Sequence, residues 1–166
     1  MKKVLEAIEF AFLKHLGQER PGGEPQFAHV LRVAKLAEEC AQWLSPESGE
    51  VLVVSEILHD VLEDTPTTDA EICKKFGDEV AKIVRALSHE SEEEPDEVYL
   101  RRVARGGKIA VLAKRFDRLD NLRSLATMPA EFRERKLAEV RSALPIWREI
   151  DPDGALEIEK GVESYG

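Results

Sequence analysis

The spacing of apolar residues constrains this chain more than any other feature, because it is helical along almost the whole sequence. Near the amino terminus Val4, Ile8 and Phe12 recur every four residues, and Val30 and Ala34 continue this spacing in the next segment. Apolar residues three or four positions apart form one face of an amphipathic helix. No segment alternates between apolar and polar residues as a half-buried strand does, so we predict an all-α fold.

Proline and glycine divide this helical pattern into separate elements. The clearest breaks are residues 20–25, Pro66 and the Gly106-Gly107 pair, since both residue types are unfavourable inside helices. The breaks predict a single helical bundle of eight or nine helices. Their expected spans are residues 2–16, 26–44, 48–63, 68–76, 78–88, 96–105, 108–126, 130–149 and 153–163.

Length and charge limit the class of protein. The 166 residues are too few for two full catalytic domains, so we predict one domain, with a core over residues 1–150 and a closing helix over 153–163. The 24 basic and 33 acidic residues give a net charge of −9, which argues against a nucleic-acid binder. The longest aliphatic run, residues 51–54, is far shorter than the roughly 20 residues that cross a bilayer.

Two cysteines, Cys40 and Cys73, indicate the compartment. Their spacing does not match the paired cysteines of a zinc site, and a chain of this length does not need a disulfide for stability. We therefore predict reduced thiols and a cytoplasmic protein.

Charge is distributed unevenly in the second half of the chain. Residues 90–97 contain six acids and no base, and we expect them to form a solvated loop. Residues 100–123 contain eight basic side chains against Asp117 and Asp120, a local balance of +6. This basic segment favours a small ligand that carries several phosphates.

One short segment concentrates residue types that hold metal ions. His59 and Asp60 are followed by Glu63 and Asp64, and residues four apart share a helical face. The continuous helix expected over 48–63 would therefore place an imidazole beside three carboxylates. Such a concentration of negative charge is costly without a cation.

A complete metal site needs ligands from other helices, because adjacent helical side chains diverge. His29, after the first Pro/Gly segment, and Asp117, within the basic segment, are the plausible additions. Two imidazoles and two carboxylates suit Mn, Fe or Zn. An isolated His-Asp pair is usually an ordinary polar pair, so this hypothesis depends on the wider motifs. We expect His15 at a helix end, where the helix dipole favours a cation, and His89 on the surface.

Four motifs supply that wider pattern. Residues 20–29 read RPGGEPQFAH, 58–65 read LHDVLEDT, 76–80 read FGDEV and 114–123 read KRFDRLDNLR. Their order and spacing resemble those of the hydrolase domain of the RelA/SpoT alarmone family, over about residues 1–150. Four ordered motifs are far more specific than a single His-Asp pair.

The resemblance implies an HD domain that holds one Mn²⁺, with other transition metals possible. The implied ligands are His29, His59, Asp60 and Asp117. By the same resemblance, Glu63 and Asp64 position or deprotonate the attacking water. Arg20 and Asn121 hold the nucleotide, and Lys114 is a further substrate contact.

Two positions depart from the family pattern. Pro21 replaces a basic residue that many relatives carry, which weakens the expectation of guanine preference. Asp120 replaces the histidine usual in the long bifunctional enzymes. It could crowd the metal ligands or pair with Arg118 or Arg123, and we expect the ion pair.

Three functions remain open from the sequence. Family members with this module remove the 3′-pyrophosphate of ppGpp or pppGpp and leave GDP or GTP, so the first is a stand-alone alarmone hydrolase without synthetase activity. The second is an HD phosphohydrolase for another nucleotide, such as NADPH or a dNTP, because a fold does not determine a substrate. The third is a nucleotide-sensing module without turnover. In each case the expected partner is a small nucleotide, not a nucleic acid or a membrane.

Overall fold

The computed structural model describes residues 2–91 and 93–165 and confirms the all-α fold. In these ranges the one extended pairing is an isolated bridge between Glu19 and Pro25. The helices are α1 (Lys2–Lys14), α2 (Gln26–Ala41), α3 (Pro46–Leu58), α4 (Val61–Asp64), α5 (Asp69–Phe76), α6 (Asp78–Leu87), α7 (Asp96–Arg105), α8 (Lys108–Ser124), a 3₁₀ turn (Leu125–Thr127), α9 (Ala130–Ile150) and α10 (Pro152–Glu163).

The prediction of one continuous helix over residues 48–63 is wrong. Helix α3 ends at Leu58 and α4 begins at Val61, with Asp60 at φ −93° and ψ −8° between them. The Nδ1 atom of His59 donates to the carbonyl of Glu56 at 2.7 Å, the acceptor that the Asp60 amide would use in a continuous helix. The break therefore coincides with the His-Asp pair of the second motif.

Helix α3 lies at the centre of the bundle. It packs against α1, α2, α6 and α8, and its residues from Leu52 to Leu58 are all buried. A helix that is apolar around most of its circumference is buried on all sides, and the sequence LVVSEIL of this segment meets that description. Because α3 is central, the His59-Asp60 junction at its carboxyl end is also next to the core.

The last two helices cover one side of this core. Helix α10 packs against α8 and α9, where Trp147 and Ile158 have no exposed surface. Within the described ranges, no helix is both long enough and apolar enough to cross a bilayer.

The acidic loop before α7, which the sequence predicts to be solvated, is held by specific contacts. Glu92 lies outside the described residues, but Glu94 accepts from Arg102 Nη2 at 2.6 Å. Arg102 Nη1 also donates to the carbonyl of Ser88 at 2.7 Å. Arg102 therefore attaches the loop to α7.

A glycine at the end of α7 tests how tightly this region is packed. A Cβ atom on Gly106 would lie 2.9 Å from the Cβ atoms of Ala86 and Ala110, closer than such atoms can approach. We expect Gly106→Ala to lower the free energy of unfolding by about 1–3 kcal/mol, as overpacked cores do, measured by chemical denaturation.

A matched control is Gly161→Ala in α10. Its new Cβ would meet the flexible Cδ1 of Leu122 at 3.1 Å, and alanine is favoured over glycine inside a helix by about 0.8–1.0 kcal/mol. This variant should be as stable as the wild type or more so. Equal destabilisation by both substitutions would contradict the packing argument.

Candidate metal and nucleotide site

Four predicted ligands from three parts of the chain converge at the carboxyl end of α3. His29 Nε2 on α2 lies 3.2 Å from His59 Nε2 and 3.3 Å from Asp117 Oδ1 on α8. His59 Nε2 lies 3.1 Å from Asp60 Oδ1. One donor atom of each of His29, His59 and Asp117 lies within 4.8 Å of the others, and all three residues are buried.

The hydrogen bonds of the two imidazoles show that this cluster fits a metal ion. His29 Nδ1 lies 2.8 Å from a carboxylate oxygen of Asp120, and His59 Nδ1 lies 2.7 Å from the carbonyl of Glu56. Both partners are acceptors, so each Nδ1 carries a proton, and Nε2 is the atom of each ring that would face an ion. A divalent ion would take the place of a proton at Nε2 and accept the lone pairs of both rings.

The charges around the cluster also favour a cation. Burial would raise the pKa of Asp60, but His59 lowers it to about 2. Burial would likewise raise the pKa of Asp117, but Lys114 and the two imidazoles hold it well below its ordinary value. Burial lowers the pKa of His59, whereas Asp60 and Asp117 together raise it to about 10. The two carboxylates are therefore ionised and attract positive charge between them.

The three residues predicted to bind substrate surround Asp117. Asn121 Nδ2 donates to Asp117 Oδ1 at 2.6 Å, and Arg20 Nη2 donates to Asn121 Oδ1 at 2.5 Å. Lys114 Nζ donates to Asp117 Oδ2 at 2.7 Å, and its side chain is only 12% exposed. Hydrogen bonds thus connect Arg20, in the loop before α2, through Asn121 to Asp117 of the cluster. Lys114 contacts the Asp117 carboxylate directly.

Glu63 and Asp64 lie on α4, beside the cluster. Glu63 Oε2 accepts a hydrogen bond from the backbone amide of His89 at 2.9 Å. The pKa of Asp64 is raised to about 6, first by desolvation and then by the negative charges of Asp60 and Glu63. The residue nevertheless keeps part of its surface exposed. A carboxylate with that pKa is a stronger base than an ordinary aspartate.

Two neighbouring cavities open beside these groups. The larger, of about 850 Å³, is bounded by the α4 carboxylates, the loop before α7 and the polar faces of α8 and α9. The smaller, of about 280 Å³, has apolar walls that include Met128 and Phe132. Arg118, Asn121 and Lys136 line both cavities.

Sequence reasoning missed several polar residues near the ligands. Gln26, three residues before His29 on α2, donates to Asp60 Oδ2 at 2.5 Å. Glu56, three residues before His59, is fully buried, and among the described residues neither of its carboxylate oxygens has a hydrogen-bond partner. Burial raises the pKa of Glu56 well above its ordinary value, which favours the neutral form of this side chain. The three-residue spacing on a shared helical face was the available signal.

Two expectations about charged residues need correction. Asp120 pairs with Arg32 of α2 and not with Arg118 or Arg123, because its side chain points into the α2–α8 interface. His89 is not a simple surface residue. Its side chain is 31% exposed, and its ring stacks on Tyr99 with the centroids 3.8 Å apart. His15 follows α1 as expected, but it is buried and hydrogen-bonded to Gln18.

Comparison with known proteins places this geometry in a family. A family model described as an HD domain matches residues 7–98. A guanosine-3′,5′-bis(diphosphate) 3′-pyrophosphohydrolase of Aquifex aeolicus is 36% identical over 141 residues, which cover 81% of this chain and 19% of that protein. The corresponding enzyme of Spiroplasma citri is 31% identical, with 20% of its length covered. The chain thus spans about a fifth of the length of these relatives.

A smaller relative is matched over most of its length. The guanosine-3′,5′-bis(diphosphate) 3′-pyrophosphohydrolase MESH1 of Drosophila melanogaster is 32% identical over 130 residues, which cover 74% of this chain and 69% of that protein. The solved structure of a metazoan ortholog of SpoT that hydrolyzes ppGpp has the same fold, with a TM-score of 0.83 at 24% identity over 100% of this chain and 97% of that one. The family model matches more than half of this chain, and the chain covers more than two thirds of the fly protein. This chain therefore belongs to the HD-domain family, in the group that includes the guanosine-3′,5′-bis(diphosphate) 3′-pyrophosphohydrolases.

Proposed function

We propose that this protein is a metal-dependent hydrolase that removes the 3′-pyrophosphate of ppGpp and pppGpp, leaving GDP and GTP, and that it has no synthetase activity. It acts as a single HD phosphohydrolase domain over residues 1–166 and works in the cytoplasm, where its two free cysteines stay reduced. The observation that carries the proposal is the His/Asp cluster beside a carboxylate pair and a polar cavity whose lining includes both acidic and basic side chains. The names of the relatives supply the substrate class.

The proposed cofactor is one Mn²⁺, held by His29, His59, Asp60 and Asp117. Mixed nitrogen and oxygen donors suit this ion, and the short contacts among the four side chains support the ligand set. A bound divalent ion supplies Lewis acidity toward a phosphoryl oxygen and makes water more acidic.

The proposed proton acceptor is Asp64, with Glu63 beside it. The raised pKa of Asp64 suits a group that takes a proton from the attacking water near neutral pH. Glu63 accepts a hydrogen bond from the His89 amide, and its proposed role is to position the attacking water. Hydrolysis in this arrangement leaves a ribose 3′-hydroxyl and releases pyrophosphate.

The two cavities match the two halves of a nucleotide. The apolar walls of the smaller cavity, including Met128 and Phe132, suit a flat base. The lining of the larger cavity includes five carboxylates, but it also includes Lys114, Arg118 and Lys136. We propose that these three residues bind the phosphate groups, since ammonium and guanidinium ions bind phosphate well. Arg20 and Asn121 lie where the smaller cavity approaches the metal cluster, and we propose that they hold the nucleoside.

The ligand set is tested by metal content. His59→Ala removes a central donor, so the variant should lose the single ion that the wild type keeps after equilibration with Mn²⁺ and gel filtration, measured by mass spectrometry of the metal. His89→Ala removes a histidine that lines the larger cavity but lies outside the cluster, and this variant should keep the ion. A tightly held ion in His59→Ala would show that the ligands are assigned wrongly.

The role of the carboxylate pair is tested by converting both residues to amides. The Glu63→Gln and Asp64→Asn double variant keeps the shape of the site but removes the proton acceptor. We expect kcat to fall on the order of 10²-fold or more, as for loss of a positioned acid or base, with one ion still bound per chain. Turnover near the wild-type rate would refute the role.

The reaction itself is tested by product analysis. Incubation of the Mn²⁺-loaded protein with ppGpp should give GDP and pyrophosphate in equal amounts, resolved by anion-exchange chromatography, and incubation of ATP with GDP should give no alarmone. Orthophosphate as the product, or consumption of NADPH or a dNTP while ppGpp stays intact, would assign the chain to another nucleotide instead.

A further inference from the structure

The outer nitrogen of His29 faces a buried carboxylate. Asp120 and His29 have no exposed surface, and Asp120 Oδ2 lies 2.8 Å from His29 Nδ1. This contact is on the side of the ring opposite Nε2, the atom that faces His59 and Asp117. Asp120 therefore touches a metal ligand without belonging to the ligand cluster.

Asp120 is itself held by a two-point ion pair. Arg32 Nε donates to Asp120 Oδ1 at 2.8 Å, and Arg32 Nη2 donates to Asp120 Oδ2 at 2.9 Å. Such bidentate pairs fix the plane of the carboxylate. Arg32 also pairs with both oxygens of Glu24, which anchors the guanidinium at the end of the loop before α2.

The two metal-facing imidazoles differ in their outer partners. His29 Nδ1 donates to a side-chain carboxylate, that of Asp120, which also accepts two hydrogen bonds from Arg32. His59 Nδ1 donates to a neutral backbone carbonyl, that of Glu56. A carboxylate on the far nitrogen fixes the tautomer of a metal-binding histidine and makes its other nitrogen a better donor.

We propose that Asp120 is a positioning residue for the metal centre, which acts through His29. Its carboxylate keeps the proton of His29 on Nδ1 and holds the ring so that the Nε2 lone pair points at the ion. The proposal rests on the metal site argued above. It assigns to Arg32 the task of orienting Asp120, and to Glu24 only the anchoring of Arg32.

Metal affinity distinguishes this role from a purely structural ion pair. Asp120→Asn keeps the size of the side chain but removes its charge, and we expect affinity for Zn²⁺ and Mn²⁺, measured by competition with a chromophoric chelator, to fall about 10–100-fold. The matched control is Glu24→Gln, which removes one charge from the same network but leaves the His29–Asp120 contact. Its metal affinity should stay near that of the wild type.

A measurement on the unaltered protein covers the case in which Asp120→Asn does not fold. In the Zn²⁺-loaded wild type, the Nδ1 proton of His29, which is hydrogen-bonded to a carboxylate, should resonate further downfield in ¹H–¹⁵N NMR spectra than that of His59, which is hydrogen-bonded to a carbonyl. A His29 Nδ1 proton no further downfield than that of His59, or equal metal affinity in Asp120→Asn and Glu24→Gln, would overturn the proposal. Failure of the wild type to bind either ion would overturn the metal site itself, a result separate from unchanged affinity in the variant.

Discussion

The structure depends on holding two ionised carboxylates, the buried Asp117 and the partly buried Asp60, beside two imidazoles at the carboxyl end of α3. Removing such charges from water is costly unless each is paired and hydrogen-bonded. Here Asp117 accepts from Lys114 and Asn121, and Asp60 accepts from Gln26. These donors come from α8 and α2, so the helices that pack around α3 also supply the polar partners that the site requires.

The break between α3 and α4 determines how the carboxylates are arranged. In an unbroken helix His59 and Glu63 would lie on one face, one turn apart. The break instead leaves His59 within the buried end of α3 and starts a new short helix at Val61, on which Glu63 and Asp64 face the larger cavity. The junction thereby separates the proposed metal ligands His59 and Asp60 from the proposed proton acceptors Glu63 and Asp64.

The sequence predicts the helices and the converging residues for different reasons. Helices follow from local apolar spacing, and His29 and Asp117 follow from motif order. The break at His59 could not be predicted, because apolar spacing does not report side-chain contacts with the backbone such as that of His59 with the Glu56 carbonyl. The pairing of Asp120 with Arg32 joins residues 88 positions apart, whereas sequence reasoning considered only partners on its own helix. Contacts of this kind depend on how α2 packs on α8, which periodicity does not specify.

The bond between Arg20 and Asn121 spans 101 residues, and that between His29 and Asp120 spans 91. Contacts between residues so far apart carry a large loop-closure entropy, which must be offset before the contact can stabilise anything. The residues proposed to bind the metal therefore come together only when α8 has docked on α2 and α3. A chain still emerging from the ribosome lacks Asp117 until α8 has been made, so the proposed metal site cannot form early in folding.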